Sequence, residues 1–456
     1  MDTARIIASE LTPNQSSGFA GLVTRALSVL RCRLSEWKIA MSGVGLALDN
    51  LRGYVILMVL AFHSFVAYLA SQPLSAPPFD APPYDWMAHP IIDSDRWLGF
   101  DLFSAFQFLH LMQLMFFLSG LFVWPSLMRK GAATFLRDRV LRLGVPFVVG
   151  VFLLMPVAYF PAYRVSAVDP SWSGFWSQWI SLPFWPSGPI WFLWFILVLN
   201  VAAAGLYWLA PRSGELLGRL SAYAGNHPER FFISLVIVSA LVYLPLAALF
   251  EPWQWVELGP FAIQPSLAPQ YAVYFLAGLA VGAHGIDRGL LRSDAMLAQR
   301  WGIWLVGAFA AFVLWIVSAA LIVKGHDGAL PGLGIARELG VILFAASACL
   351  ASAAFFLRFA AMRRRILGSI SENAYGIYLF HYVFVIWTQY ALLDVPMPAV
   401  AKGAIVLSVT LALSWVVSAS VSCTRVGARL MRGERRAAIA EARSPAKGYH
   451  SQGLTS

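Results

Sequence analysis

Charge is what this chain has least of. Asp, Glu, Lys and Arg make up 12% of its 456 residues, against 59% apolar residues, and an ordinary soluble domain carries about twice that charge fraction. A chain so poor in charge cannot cover a water-facing surface, which excludes the soluble globular class. Cysteine is nearly as scarce. Cys32, Cys349 and Cys423 are the only three, and no two share a short spacing, so neither a disulfide framework nor a zinc site is expected. The first forty residues lack a continuous apolar run. No cleavable signal peptide is therefore expected, and the first span itself directs insertion. No internal repeat relates the two halves, which counts against a transporter built from paired units.

What is present is a series of apolar stretches long enough to cross a bilayer. Ten are expected, over residues 53–71, 103–124, 143–162, 189–209, 231–250, 268–284, 302–323, 339–357, 373–392 and 400–422. The sixth is the weakest, because Pro269 and Gln270 shorten its apolar part. Basic residues concentrate in alternate connections: Arg25, Arg31, Arg33 and Lys38 before the first span, Arg129 to Arg142 after the second, Arg212 to Arg230 after the fourth, Arg288 to Arg300 after the sixth, and Arg358 to Arg365 after the eighth. The same holds for Arg425 to Arg436 after the tenth. This alternation places both termini in the cytoplasm. It also accounts for the net charge of +10 without nucleic acid as a partner. The expected organisation is an all-α integral membrane protein. A cytoplasmic segment covers 1–48, a ten-helix membrane domain 49–424, and a basic, unstructured cytoplasmic tail 425–456.

The outer connections have a different character. Residues 72–99 are rich in proline and aspartate and contain Trp86; residues 163–188 carry Trp172, Trp176, Trp179 and Trp185; residues 251–267 carry Trp253 and Trp255 with Glu251 and Glu257. Such residues form either an aromatic belt at headgroup level or a carbohydrate platform, on which sugars dock against aromatic faces while carboxylates accept hydroxyl hydrogen bonds. Both readings stay open on the sequence.

A few polar residues stand inside apolar runs. Arg52 and His63 are eleven positions apart in DNLRGYVILMVLAFHS. That offset is about three helical turns, so they share a face roughly 16 Å apart along the axis. An intramembrane histidine is costly and marks a site by default, and imidazole exchanges protons near neutral pH. His110 and Gln113 share a face of the second span, followed by the small pair Ser119-Gly120, which permits close helix approach. Lys130, Arg137, Arg139 and Arg142 form a basic cluster that either binds phosphates of a soluble donor or holds topology. In the ninth span Ser371, Tyr375, Tyr378 and Tyr382 form a polar stripe with His381 beside it. Three histidines on three spans point to a common polar interior.

These residues carry a resemblance. Arg52 and His63 match the R-x10-H signature of the membrane-bound acyltransferase-3 family, and LDNLRGYVILMVLAFHS resembles its first helix. FFLSGLFVW from Phe116 is similar to its second helix, FLRDRVLRLGVPF from Phe135 to its arginine-rich cytoplasmic loop, and SENAYGIYLFHY from Ser371 to its ninth helix. IWFLWFILV in the fourth span resembles the branch containing periplasmic-glucan succinyltransferases. The resemblance covers residues 49–422. It implies O-acyl transfer from cytoplasmic acyl-CoA, used as a co-substrate with no tightly bound cofactor, to a hydroxyl of a glycan or related acceptor. The acyl group is acetyl or succinyl, and the setting is a bacterial inner membrane. In that family's terms His63 is the general base and Arg52 holds the donor near the cytoplasmic mouth. Ser119, Tyr378 and His381 match recurrent family positions, and the chain resembles the stand-alone branch, in which no fused esterase-like domain is expected. The alternative is a secondary transporter with His63, His110 and His381 in a proton or substrate path.

Overall fold

The structure is a computed structural model that describes residues 43–225, 227–326, 330, 332–362 and 364–431. Cys32, the first forty residues and most of the expected tail lie outside the described residues. Among the described residues ten long helices follow one another: α1 Gly43–Tyr68, α2 Leu98–Lys130, α3 Ala132–Ser166, α4 Gly188–Leu209, α5 Pro228–Ala247, α6 Ala268–His284, α7 Trp301–Val323, α8 Leu333–Phe359, α9 Arg365–Ala391 and α10 Ala399–Val421. Eight of them are long and apolar enough to cross a membrane. The remaining two are α6, which has 17 residues, and α9, which carries the polar stripe. The protein is an all-α integral membrane protein. Its described sheet is one hairpin, β1 Val256–Leu258 against β2 Phe261–Ile263.

Two expectations shift. The first helix begins ten residues before position 53, because Asp49, Asn50 and Arg52 do not end it. Asn50 is buried, and its amide donates to the carbonyls of Ala360 (2.7 Å) and Met362 (2.8 Å) just past the end of α8. Those carbonyls belong to the groups a helix end leaves unpaired, so a polar residue is satisfied inside the protein. The tail is not unstructured from its first residue either. Arg425–Met431 is helical, with Thr424 capping it by accepting from the Gly427 amide at 3.0 Å.

Lipid tails give no hydrophobic drive for helices to associate, so close packing of small residues does more of the work. The crossing of α2 and α6 shows this. A Cβ on Gly120 would lie 2.1 Å from the Phe275 carbonyl oxygen, one on Gly278 2.1 Å from that of Phe117, and one on Gly282 2.0 Å from that of Leu121. The small-residue reading of Gly120 holds here. At the same crossing Gln113 donates to Gln270 at 3.2 Å.

α3 is not a plain α-helix. It runs as α over 132–139, as π over Val140–Gly144, as α over 145–149, as π over Gly150–Leu154 and again as α over Met155–Ser166. Single π turns inside helices are often found at functional sites.

The connection between α1 and α2 is tied on every side. Asp101 of α2 accepts from the amides of Ala70 (2.7 Å) and Ser71 (2.9 Å). Arg96 donates to the carbonyls of Gln72, Pro73 and Asp93. Lys402 of α10, fully buried, reaches both oxygens of the buried Asp93 and one of Asp95, each at 2.9 Å. Trp86 and Trp179 belong to neither a belt nor a platform. Both are buried, Trp86 stacking on Phe79 at 4.2 Å and Trp179 packing on Phe175 at 5.2 Å. Trp172, Trp176 and Trp253 remain exposed.

Candidate active site

α1 places His63 about one turn from its C-terminal end, where Gln389 of α9 donates to the carbonyls of His63 (2.9 Å) and Ser64 (3.2 Å). The His63 ring is half-buried, with its centroid 5.2 Å from that of His381 and 5.3 Å from that of Tyr382. Among the described residues no hydrogen bond engages the His63 imidazole. His381 is fully buried. Its Nδ1 lies 2.6 Å from the carbonyl oxygen of Tyr378, three residues back. A carbonyl only accepts, so Nδ1 carries the proton and Nε2 is left as a bare acceptor. That Nε2 is buried with no partner among the described residues. The i, i+3 spacing on α9 therefore fixes one tautomer, and the ring nitrogen it frees belongs to the ring packed against His63.

Three further elements close the site. The Tyr382 hydroxyl lies 3.4 Å from that of Tyr159 on α3, which donates to the Met87 carbonyl in the α1–α2 connection at 3.2 Å. Trp86 caps Tyr159 edge-on at 5.2 Å. At the start of α4, Gly188 has φ +46°, and a Cβ there would meet the Tyr159 hydroxyl at 3.2 Å, the Tyr382 ring at 3.3 Å and Met155 Sδ at 2.7 Å. Only glycine fits both that backbone conformation and that space. The Tyr378 hydroxyl donates to the Pro189 carbonyl in the same turn.

Three turns before His63 on α1, Arg52 lies 3.6 Å from Asp49 and stacks over the Phe122 ring at 4.9 Å, where α2 breaks its helical run. Its side chain keeps 38% of its surface exposed, so it is anchored while part of the guanidinium stays accessible. Arg139 stacks over Phe135 at 4.8 Å, and Lys130 pairs with Asp138 at 2.7 Å. Arg142 sits in the first π segment, and its carbonyl accepts from the Tyr375 hydroxyl of α9.

The structure thus joins His63 with His381, and through Tyr378 and Tyr382 with the turn before α4. It does not bring the other histidine there. His110 sits at the break in α2 between Phe108 and Leu111, its Nδ1 2.8 Å from the Phe106 carbonyl oxygen and its ring edge-on to Phe106 and Phe344. The local backbone and α8 satisfy it, so the expected interior shared by three histidines reduces to a pair. Gln113 is spent on Gln270, and Ser119 is half-buried beside the glycine crossing. Tyr159 and Gly188 went unnoticed in the sequence. Their only signals are a tyrosine flanked by prolines in MPVAYFPAY and a Ser-Gly-Pro turn before an apolar run.

A family model described as an acyltransferase domain matches residues 46–419. Comparison with curated proteins and with solved structures finds no match. The matched region runs from the first turn of α1 to the last turn of α10, so it takes in Arg52, the histidine pair and every helix that positions them. On that extent the chain belongs to the acyltransferase-3 family, a multi-pass membrane acyltransferase acting on groups other than aminoacyl groups.

Proposed function

We propose that the protein is an O-acyltransferase of a bacterial inner membrane, with both termini in the cytoplasm. It moves an acetyl or succinyl group from cytoplasmic acyl-CoA to a hydroxyl of a glycan or related acceptor. The observation that carries this reading is the His63 imidazole: half-buried, free of hydrogen bonds among the described residues, and on the same helix as an anchored Arg52. A general base needs a free lone pair within reach of its proton. A donor with its charge in water and its thioester in the membrane needs a cation roughly three turns below that base.

In the proposed reaction the phosphates of the donor stay among Arg52, Arg139 and Arg142, and the thioester arm reaches toward His63. His63 takes the proton of the acceptor hydroxyl as its oxygen attacks the thioester carbon. The C–O ester bond forms, the C–S bond breaks, and the proton passes from His63 to the departing thiolate. His381 packs its ring against that of His63 and so orients it, keeping its own Nε2 unprotonated. The Tyr382 hydroxyl, with one long contact to Tyr159, supplies a donor for the oxyanion.

The test supplies labelled acetyl-CoA or succinyl-CoA and a glycan panel to purified wild type, His63→Ala and Arg52→Ala at matched abundance. Label on a glycan with wild type, lost in both variants, is the expected result. Unchanged transfer by His63→Ala removes the base assignment.

A further inference from the structure

The β1–β2 hairpin between α5 and α6 is held against α3, α4 and the connection between them. Trp194 of α4 donates to the Ala262 carbonyl at 3.2 Å, and the Trp185 amide donates to that of Gly259 at 3.1 Å. Phe261 stacks on Phe147 of α3 at 5.6 Å, and Trp255 packs edge-on to Trp191 at 5.4 Å. Glu257 lies in the middle of β1, opposite Ala262. Its Oε2 is buried and has no hydrogen-bond partner, and no ion pair involves Glu257 among the described residues. The carboxylate is within electrostatic reach of Tyr159, whose hydroxyl neighbours that of Tyr382, the ring packed on His63.

A buried carboxyl oxygen with neither donor nor cation is costly, and burial pushes the Glu257 carboxyl up to about 7. Among the described residues nothing repays that cost, and the hairpin is already pinned by its backbone and its aromatic residues. A ligand rich in hydroxyl donors repays it. We infer that Glu257 is an acceptor-binding residue, whose buried oxygen accepts a hydrogen bond from one hydroxyl of a polyhydroxylated acceptor. The inference rests on the acyltransferase reading and adds to it the acceptor side of the site. Trp255, partly exposed beside Trp191, offers such a ligand an apolar face next to the carboxylate.

The experiment uses the full chain in detergent, labelled acyl-CoA, and a dilution series of envelope extract from the producing cells as acceptor, so the acceptor need not be known beforehand. Base-labile label is counted for wild type, Glu257→Gln, Glu257→Asp and His63→Ala. Glu257→Gln is expected to need about tenfold more extract for half-maximal transfer, as for loss of a charge-assisted hydrogen bond. Its plateau and its acyl-CoA KM stay at the wild-type level, which also shows that the variant is folded. Glu257→Asp falls between the two, and His63→Ala loses the plateau. Wild-type half-saturation in Glu257→Gln overturns the inference and leaves the acyltransferase reading standing on His63→Ala. A changed acyl-CoA KM in Glu257→Gln overturns it as well. No label transfer by wild type overturns both.

Discussion

The imidazole rings of His63 and His381, from the first and ninth spans, lie 5.2 Å apart at a tilt of 45°. One ring has no hydrogen bond among the described residues, and the other has a proton fixed on Nδ1 and a bare Nε2. Residues that act as a unit give non-additive losses. His63→Ala is expected to lower kcat by ~10²–10⁴-fold, the usual worth of a general base, and His381→Ala by less. The double variant should be no slower than His63→Ala alone. Rates from the four proteins at saturating donor check this, and additive losses would show that the rings act separately.

Glu257 gives the pH dependence. Burial raises its carboxyl to about 7, so it is largely protonated at pH 6 and largely ionised at pH 8. The groups that face it are the Tyr159 phenol of α3 and, behind it, Tyr382 of α9; the packed side chains of α4, Trp191 and Trp194, are uncharged. The ionised form accepts hydrogen bonds better. Half-saturation by acceptor should therefore improve as pH rises through 7 in wild type and stay flat in Glu257→Gln. Initial rates across pH 6–8 decide it.

Lys402 and Asp93 make a stability prediction. Both are buried, and Lys402 also reaches Asp95. Removing one partner of a buried pair costs ~3–5 kcal/mol because it strands the other charge. Lys402→Met should lower the thermal unfolding midpoint in detergent, and Lys402→Met with Asp93→Asn should recover part of the loss. A double variant less stable than the single one would contradict the stranded-charge account.

The glycine crossing can be tested by volume. Gly278→Val places side-chain atoms where the Phe117 carbonyl lies, whereas a Cβ on Gly302 of α7 meets nothing within 4 Å. Gly278→Val should abolish monodisperse protein in size-exclusion chromatography, and Gly302→Ala should elute as wild type.

The spans were legible because the bilayer demands long apolar helices, and α6 ends where the sequence places it, with Pro269 near its start. The beginning of α1 was not legible. Asp49, Asn50 and Arg52 look like a boundary until Asn50 is seen to cap the end of α8. R-x10-H spacing put Arg52 and His63 on one helix, and the Tyr378–His381 spacing contained the bond that sets the tautomer. His110 misled, because an intramembrane histidine satisfied by its own helix looks the same in sequence as one that faces a cavity. Tyr159, Gly188 and Glu257 come from three different connections or spans. Local pattern says nothing about such meetings.

The two π segments of α3 have a consequence for how the site is encoded. Each acts as a one-residue insertion, and one residue turns everything beyond it by about 100°. Tyr159 follows both segments, so its direction depends on chain length between Val140 and Leu154 as much as on being a tyrosine. Deleting one residue from Gly150–Leu154 would keep every named site residue and still swing the Tyr159 hydroxyl away from Tyr382. In this span the number of residues acts as a setting in its own right, one that no substitution can reproduce.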